Sequence, residues 1–332
     1  MSGKIIRTCI DQLPALPAGA MGIAGLTQFF WADRQVLHVR FLDGDPRIQQ
    51  KVEQVAHQWS LYANVQFIFD GAPNSEIHIS FTPDNTSWSK LGKDALGTPS
   101  NKPTMNFGWL KLNTPDDEYE RVVLHEFGHA LGCIHEHQNP AAVIPWNKPA
   151  VYRYYASMGW DKARVDHNLF RTYGVGQTQF TRFDPKSIML YAIPKELTDG
   201  IFEVGWNRAL SDTDRSYIGT LYPFVGPRGT VLQVGAAPLQ AELKPGGEVH
   251  VYRFQVGAAG DYTLETSGLI DVVMSLYGPD SRAAKMAEDD DSGPGVNSRI
   301  TASLVPATYF IEVRHYRRTG KGKYRIALRA GV

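Results

Sequence analysis

Apolar and polar positions along this chain change period more than once, and each change marks a boundary. Residues 1–33 are rich in glycine, alanine and proline and keep no period, which predicts an extended N-terminal segment over 1–34. Leu37, Val39 and Phe41 then alternate with His38 and Arg40, the period of a half-buried strand. After the turn Asp43-Gly44-Asp45-Pro46, the residues Val52, Val55, Ala56, Trp59, Tyr62 and Ala63 fall at helical spacing. Val65–Phe69 and Ile77–Phe81 read as further strands, and Thr104–Trp109 as an edge strand. Strands interleaved with helices predict a mixed sheet with helices packed on it.

Two helices carry end signals. Thr114-Pro115-Asp116-Asp117 offers a capping hydroxyl, a proline for the first helical position and an acid in the first turn. That helix runs to Leu131 and stops at Gly132. A second starts at Ser211, with Asp214 three residues on, and ends before Pro223. Phe224-Val225-Gly226-Pro227-Arg228-Gly229 closes the first domain, predicted over 35–225. Beyond it the period becomes two. Val249–Val256, Asp261–Thr266, Val272–Tyr277, Arg299–Leu304, Tyr309–His315 and Lys323–Leu328 predict an all-β sandwich over 230–332.

Composition narrows the partners. Basic and acidic residues balance at 34 each, so neither nucleic acid nor an anionic membrane is expected. No apolar run approaches the ~20 residues that span a bilayer. The first residues make no clear signal peptide, because Asp11, Gln12 and two prolines interrupt any apolar core. Export by another route, action inside a cell or delivery as an effector, and earlier loss of a leader all stay open. Cys9 and Cys133 allow one bridge at most. A monomer is expected.

The chemistry concentrates at His125-Glu126-Phe127-Gly128-His129-Ala130-Leu131-Gly132-Cys133-Ile134-His135. His125 and His129 are one turn apart on one helix face, Glu126 points to nearly the same side, and Leu124, Phe127 and Leu131 lie opposite. Gly132 can turn the chain back so that His135 reaches the same point. Three neutral imidazoles hold one zinc ion and leave a position for water, whose pKa falls to about 7. Glu126 can hydrogen-bond that water and act as the catalytic acid/base. The bland alternative is an exposed helix turn with solvated histidines, and the extended H-E-x-x-H-x-x-G-x-x-H pattern weighs against it. That pattern demands a methionine turn downstream, and Ser187-Ile188-Met189-Leu190-Tyr191 follows the turn-prone Phe183-Asp184-Pro185.

On these motifs the chain resembles an astacin-type metallopeptidase of the metzincin clan, over residues 35–224. Matching features are His125 through Glu136, Ser187-Ile188-Met189 with Tyr191, Thr104–Trp109, and Leu210–Asp214 with Leu221-Tyr222. The resemblance implies an α+β metzincin-like domain, a twisted mixed sheet plus helices, that hydrolyses peptide bonds in protein or peptide substrates. It implies that Met189 floors the metal, and that Tyr191 is a further zinc ligand that swings away to steady the oxyanion. It implies that Asn106, Phe107, Gly108 and Trp109 bind extended substrate by edge pairing. Glu136 would receive a freed N-terminal ammonium, or else be a salt-bridged surface residue. The chain departs from the family in lacking its two disulfides and the arginine and acidic cluster after the third histidine.

Cys9 and Asp11 precede the catalytic domain, and either can occupy the open position on zinc and hold the enzyme latent, as a zymogen is held. A disordered thiol or a Cys9–Cys133 disulfide is the competing reading. Cys133 reads as a small buried apolar residue, and His137 and His167 as structural or solvated. Asp289-Asp290-Asp291-Ser292-Gly293 offers oxygen ligands for calcium or is a solvated acidic turn. Residues 230–330 resemble the bacterial pre-peptidase C-terminal domain, through the Asn297 region and the strand Thr308–Val313, which implies an extracellular, secreted enzyme. A binding protein with a structural zinc and a β-sandwich interaction module is the alternative from another class.

Overall fold

Alternation puts Leu37 and Val39 inward at 0% and 1% exposure, and that buried row seeds the first sheet. The computed structural model describes residues 8–9, 29–32, 36–172, 182–224, 230–244, 248–280, 282, 284–317 and 319–331. The chain divides into two units, Met1–Trp59 with Phe67–Tyr217, and Ser60–Gln66 with Ile218–Val332.

The first sheet has six strands in the order β1-β5-β6-β4-β2-β3. They are β1 (Thr8–Cys9), β2 (Val36–Phe41), β3 (Gln66–Ile68), β4 (Ile77–Ser80), β5 (Thr86–Ser89) and β6 (Met105–Phe107). β2, β4 and β6 run parallel, while β5 is antiparallel to β6. A helix, Pro46–Ser60, packs Val52, Ala56 and Trp59 inward. It starts six residues before the apolar spacing predicts, because Asp45 caps it: Oδ1 accepts from Arg47 N–H at 2.9 Å, and Pro46 takes the first helical place. Tyr62 and Ala63 lie past its end.

Thr104–Trp109 is not an edge. β6 lies between β4 and β5, so its backbone has no open side. The edge passes to β5, whose outer side is paired by β1 in parallel, Thr8 opposite Thr86 and Cys9 opposite Ser87. No period marks Thr86–Ser89 in the sequence, since four residues between turns are too few to show one.

The motif helix spans Asp116–Ala130 and is buried along most of its length. Its N-cap is Pro115, with no side-chain cap, and the Thr114 hydroxyl accepts from Lys111 N–H instead. Asp116, Asp117 and Glu118 answer the helix dipole in the first turn. Trp59 donates to Leu124 O at 2.9 Å, and Phe67 meets Phe127 edge-on at 5.0 Å, which ties the helix's back face into the core. Further along, Lys148–Ala156, Lys162–Val165 and a π turn at Asp166–Phe170 gather Val151, Tyr155, Trp160, Val165 and Leu169 into a small separate cluster. The sequence gives no sign of these elements because each is too short to show a period.

The second unit is two four-stranded antiparallel sheets, β11-β10-β13-β8 and β12-β9-β14-β7. The strands are β7 (Leu239–Leu243), β8 (Val249–Val256), β9 (Gly260–Gly268), β10 (Val272–Tyr277), β11 (Lys285–Asp289), β12 (Arg299–Leu304), β13 (Ala307–His315) and β14 (Gly322–Ala330). Their inner faces share one core that includes Phe254, Met274, Leu276, Ile311, Leu264, Ile300 and Leu328. This is the expected sandwich. β7 and β11 add to the six expected strands; both are outer strands, and β11 buries no side chain that would mark a face. The acidic turn does not gather calcium ligands: Asp289 spends its carboxylate on Ser292 and Arg299 N–H, and among the described residues no acidic group of metal-site size forms there. Among the described residues no helix is long and apolar enough to cross a membrane.

Candidate metal centre

Gly132 ends the motif helix with φ +93°. Cys133 N–H bonds Gly128 O at 2.9 Å and Gly132 N–H bonds His129 O at 2.8 Å, a Schellman turn that reverses the chain. It returns His135 to the face carrying His125 and His129, and one donor atom from each, with Cys9 Sγ, all lie within 4.8 Å of one another. All four residues are buried.

Hydrogen bonds set which nitrogen each ring presents. His125 Nδ1 donates to Ile188 O at 2.8 Å, and His129 Nδ1 donates to Cys133 O at 2.7 Å, because a carbonyl only accepts. Both rings therefore offer an Nε2 lone pair to the centre. His125 Nε2 is buried with no hydrogen-bond partner among the described residues. His129 Nε2 and His135 Nε2 face each other at 3.1 Å, so a proton or a cation must lie between them. Burial, then the neighbouring His129, holds His125 and His135 well below the ordinary imidazole range, so both are neutral donors. Converging imidazole nitrogens and a buried Nε2 without a partner among the described residues fit a zinc ion, which His125, His129 and His135 would hold.

Glu126 is fully buried beside them. Burial pushes its carboxyl up to about 8, against the Cys9 thiol, which donates to Oε2 at 3.4 Å. Cys9 Sγ also lies 3.7 Å from His129 Nε2. Both cysteines are free thiols, so the Cys9–Cys133 bridge is not formed. Asp11 lies outside the described residues.

Met189 packs its thioether against the motif helix at Gly128, where a Cβ would meet Met189 Sδ. Tyr191 packs its ring 4.4 Å from that of His135, and its hydroxyl donates to Cys9 O at 2.8 Å. Glu136 forms no ion pair among the described residues; its Oε1 accepts from Asp184 N–H and Asn139 Nδ2. Asn106, Phe107, Gly108 and Trp109 are buried, and Asn106 spends its amide on Thr82 and the Asp84–Thr86 turn. Gly108 N–H donates to Thr86 O beside β5, and Trp109 Nε1 donates to Glu118 of the motif helix at 3.0 Å.

Asp214 supplies a support that the sequence shows only as a helix cap. It exchanges bonds with Ser211 in a capping box, and its carboxylate also accepts from Ser187 Oγ at 2.6 Å and Ile188 N–H at 2.8 Å. Ile188 O is what orients His125, so Asp214 acts on the centre through the methionine turn. Asp214→Ala is expected to cost about 3 kcal/mol of stability and weaken zinc about tenfold. Urea unfolding and competition with a chelator measure the two; unchanged zinc affinity would contradict the relay.

The segment 29–32 holds the far end of the helix. Trp31 Nε1 donates to Ala130 O at 2.7 Å, and Phe29 O accepts from Lys93 N–H at 2.8 Å.

No protein-family model matches the chain, and no curated protein matches it in sequence. Among solved structures it is similar to myroilysin, at 47% identity over 59% of this chain and 96% of that one, TM-score 0.58. A hatching-enzyme zinc-protease of the medaka Oryzias latipes, high choriolytic enzyme 1, matches at 17% identity over 59% and 95%, TM-score 0.44. The pre-peptidase C-terminal domain of a Bacillus anthracis collagenase matches 30% of this chain and 92% of its own length, at 18% identity and TM-score 0.26.

Proposed function

The chain belongs to the astacin-type zinc metallopeptidases, and from that premise we propose that it is an endopeptidase whose zinc is held by His125, His129 and His135 and whose own Cys9 keeps it latent. The observation that carries the reading is the convergence of three buried imidazoles and the Cys9 thiol, with Glu126 buried among them.

Zinc bound there supplies Lewis acidity, polarising a carbonyl and lowering the pKa of a water. The protein's residues do the rest. Nδ1–H bonds to Ile188 O and Cys133 O hold two of the imidazoles in the ligating tautomer. Glu126 takes the proton of the attacking water at its carboxylate and delivers it to the leaving nitrogen. Tyr191, once Cys9 O is gone, has its hydroxyl to donate to the oxyanion. β5, the antiparallel strand beside the centre, pairs an extended substrate along the side that β1 now covers.

Three features argue for latency. β1 pairs with the edge a substrate would use, Cys9 Sγ joins the donor set, and Cys9 O engages the Tyr191 hydroxyl. One short element thus engages strand, metal position and oxyanion donor together. With Cys9 the centre has four protein donors, the number a structural zinc takes, and removing the thiol opens a catalytic position. Substrates are proteins or peptides, and action outside the cell is the expected setting. Metal analysis tests the donor set: the full-length chain should carry one zinc, and a His125→Ala, His129→Ala chain none. Stoichiometric zinc in that double variant would move the site elsewhere.

A further inference from the structure

Three rings meet at the wall of the centre. His135 and His137 stack with centroids 5.1 Å apart and planes 17° apart. Tyr191 lies against both, at 4.4 Å and 4.8 Å. His137 is 2% exposed, too deep for the solvated histidine that its sequence context allows.

The His137 ring is anchored through its far nitrogen. Nε2–H donates to Asn168 O at 2.7 Å. That carbonyl belongs to the π turn Asp166–Phe170, closed by Arg171 N–H on Asp166 O at 3.0 Å. Asn168 is held in turn by its own side chain, which donates to Arg164 O at 2.8 Å. A π turn displaces a carbonyl from the ordinary helical ladder, and such turns recur at functional sites. Leu169 of the same turn shares one buried cluster with Tyr191, Val165 and Trp160. The short helices after the third histidine therefore reach Tyr191 by two routes, apolar packing and the His137 ring.

We propose that His137 is a positioning residue for Tyr191: its ring, fixed on Asn168 O, is the wall that holds the phenol beside His135 so that the hydroxyl addresses the centre. This rests on the zinc-peptidase reading above. A phenol turns about two soft torsions, and a donor to a developing oxyanion works only within a narrow range of positions. Tilted ring contacts with both His135 and His137, at 59° and 42°, limit that turning. Imidazole suits the position because it pairs an apolar face with an N–H for the buried carbonyl.

The test compares His137→Ala and His137→Phe in the full chain carrying Cys9→Ala, with and without Tyr191→Phe. His137→Ala is expected to lower kcat about tenfold, a fraction of what loss of a whole oxyanion donor costs. KM stays within twofold and zinc at one per chain. His137→Phe, which keeps the ring but not its bond to Asn168 O, recovers part of kcat. In the Tyr191→Phe chain, His137→Ala lowers kcat no further, because its partner is already gone. Unchanged kcat in His137→Ala overturns the proposal. So does a Phe variant as slow as the Ala variant, a full extra loss in the Tyr191→Phe chain, or a loss explained by zinc content alone. Failure of the zinc-peptidase reading is seen separately, in a Cys9→Ala parent that holds no zinc or cleaves without it.

Discussion

Replacing Cys9 by alanine in the full-length chain is expected to raise proteolysis about 100-fold without any processing, the gain when a competent state goes from about 1% to fully populated. The thiol sits within the donor set of the three histidines and donates to Glu126. It is tethered by the chain, so it competes with water and substrate at high effective concentration. Taking away Sγ leaves β1, among the described residues, its short pairing to β5, two residues opposite two, and the bond from Tyr191 to Cys9 O. So short a pairing is marginal on its own. Casein cleavage by the intact variant, with its mass confirmed before and after, measures the gain. Equal activity in wild type and variant would overturn latency by Cys9. If Asp11→Ala released activity instead, the carboxylate would be the blocking group.

Glu126→Gln in an activated chain is expected to lower kcat by about 10³-fold, the middle of the range a positioned acid/base contributes. The glutamine fills the same buried space and can still accept a hydrogen bond, but it cannot take up or return a proton. Zinc content should stay at one per chain, because the three imidazoles and the Nδ1–H bonds of His125 and His129 are untouched. Loss of kcat with zinc retained separates Glu126 from the ligands. A variant with full activity would remove Glu126 from the mechanism, and would also revive the binding protein with a structural zinc.

Residues that carry chemistry are legible where the spacing itself is the constraint. His125, Glu126 and His129 lie on one helix face by periodicity, and Gly132 is needed at positive φ before His135 can return. Ser211 and Asp214 are readable as a capping box because that signal is local. The further reach of Asp214 to Ser187 and Ile188 is not, since no local pattern records a contact across 27 residues. β5 is hidden for a related reason: an edge strand of four residues is defined by what pairs with it, and its partner β1 comes from a segment with no period. With β5 hidden, Thr104–Trp109 reads as an edge strand, whereas β6 lies inside the sheet between β4 and β5 and Asn106 spends its amide on neighbouring turns. In the sandwich, six strands show by alternation, whereas β11 buries no side chain and leaves no trace.

The central claim is that zinc on three histidines performs the cleavage, and chelation of the Cys9→Ala chain tests it most directly. Casein cleavage should vanish when a chelator strips the metal and return when one equivalent of zinc per chain is added back. Cleavage that persists in the metal-free chain would contradict the account.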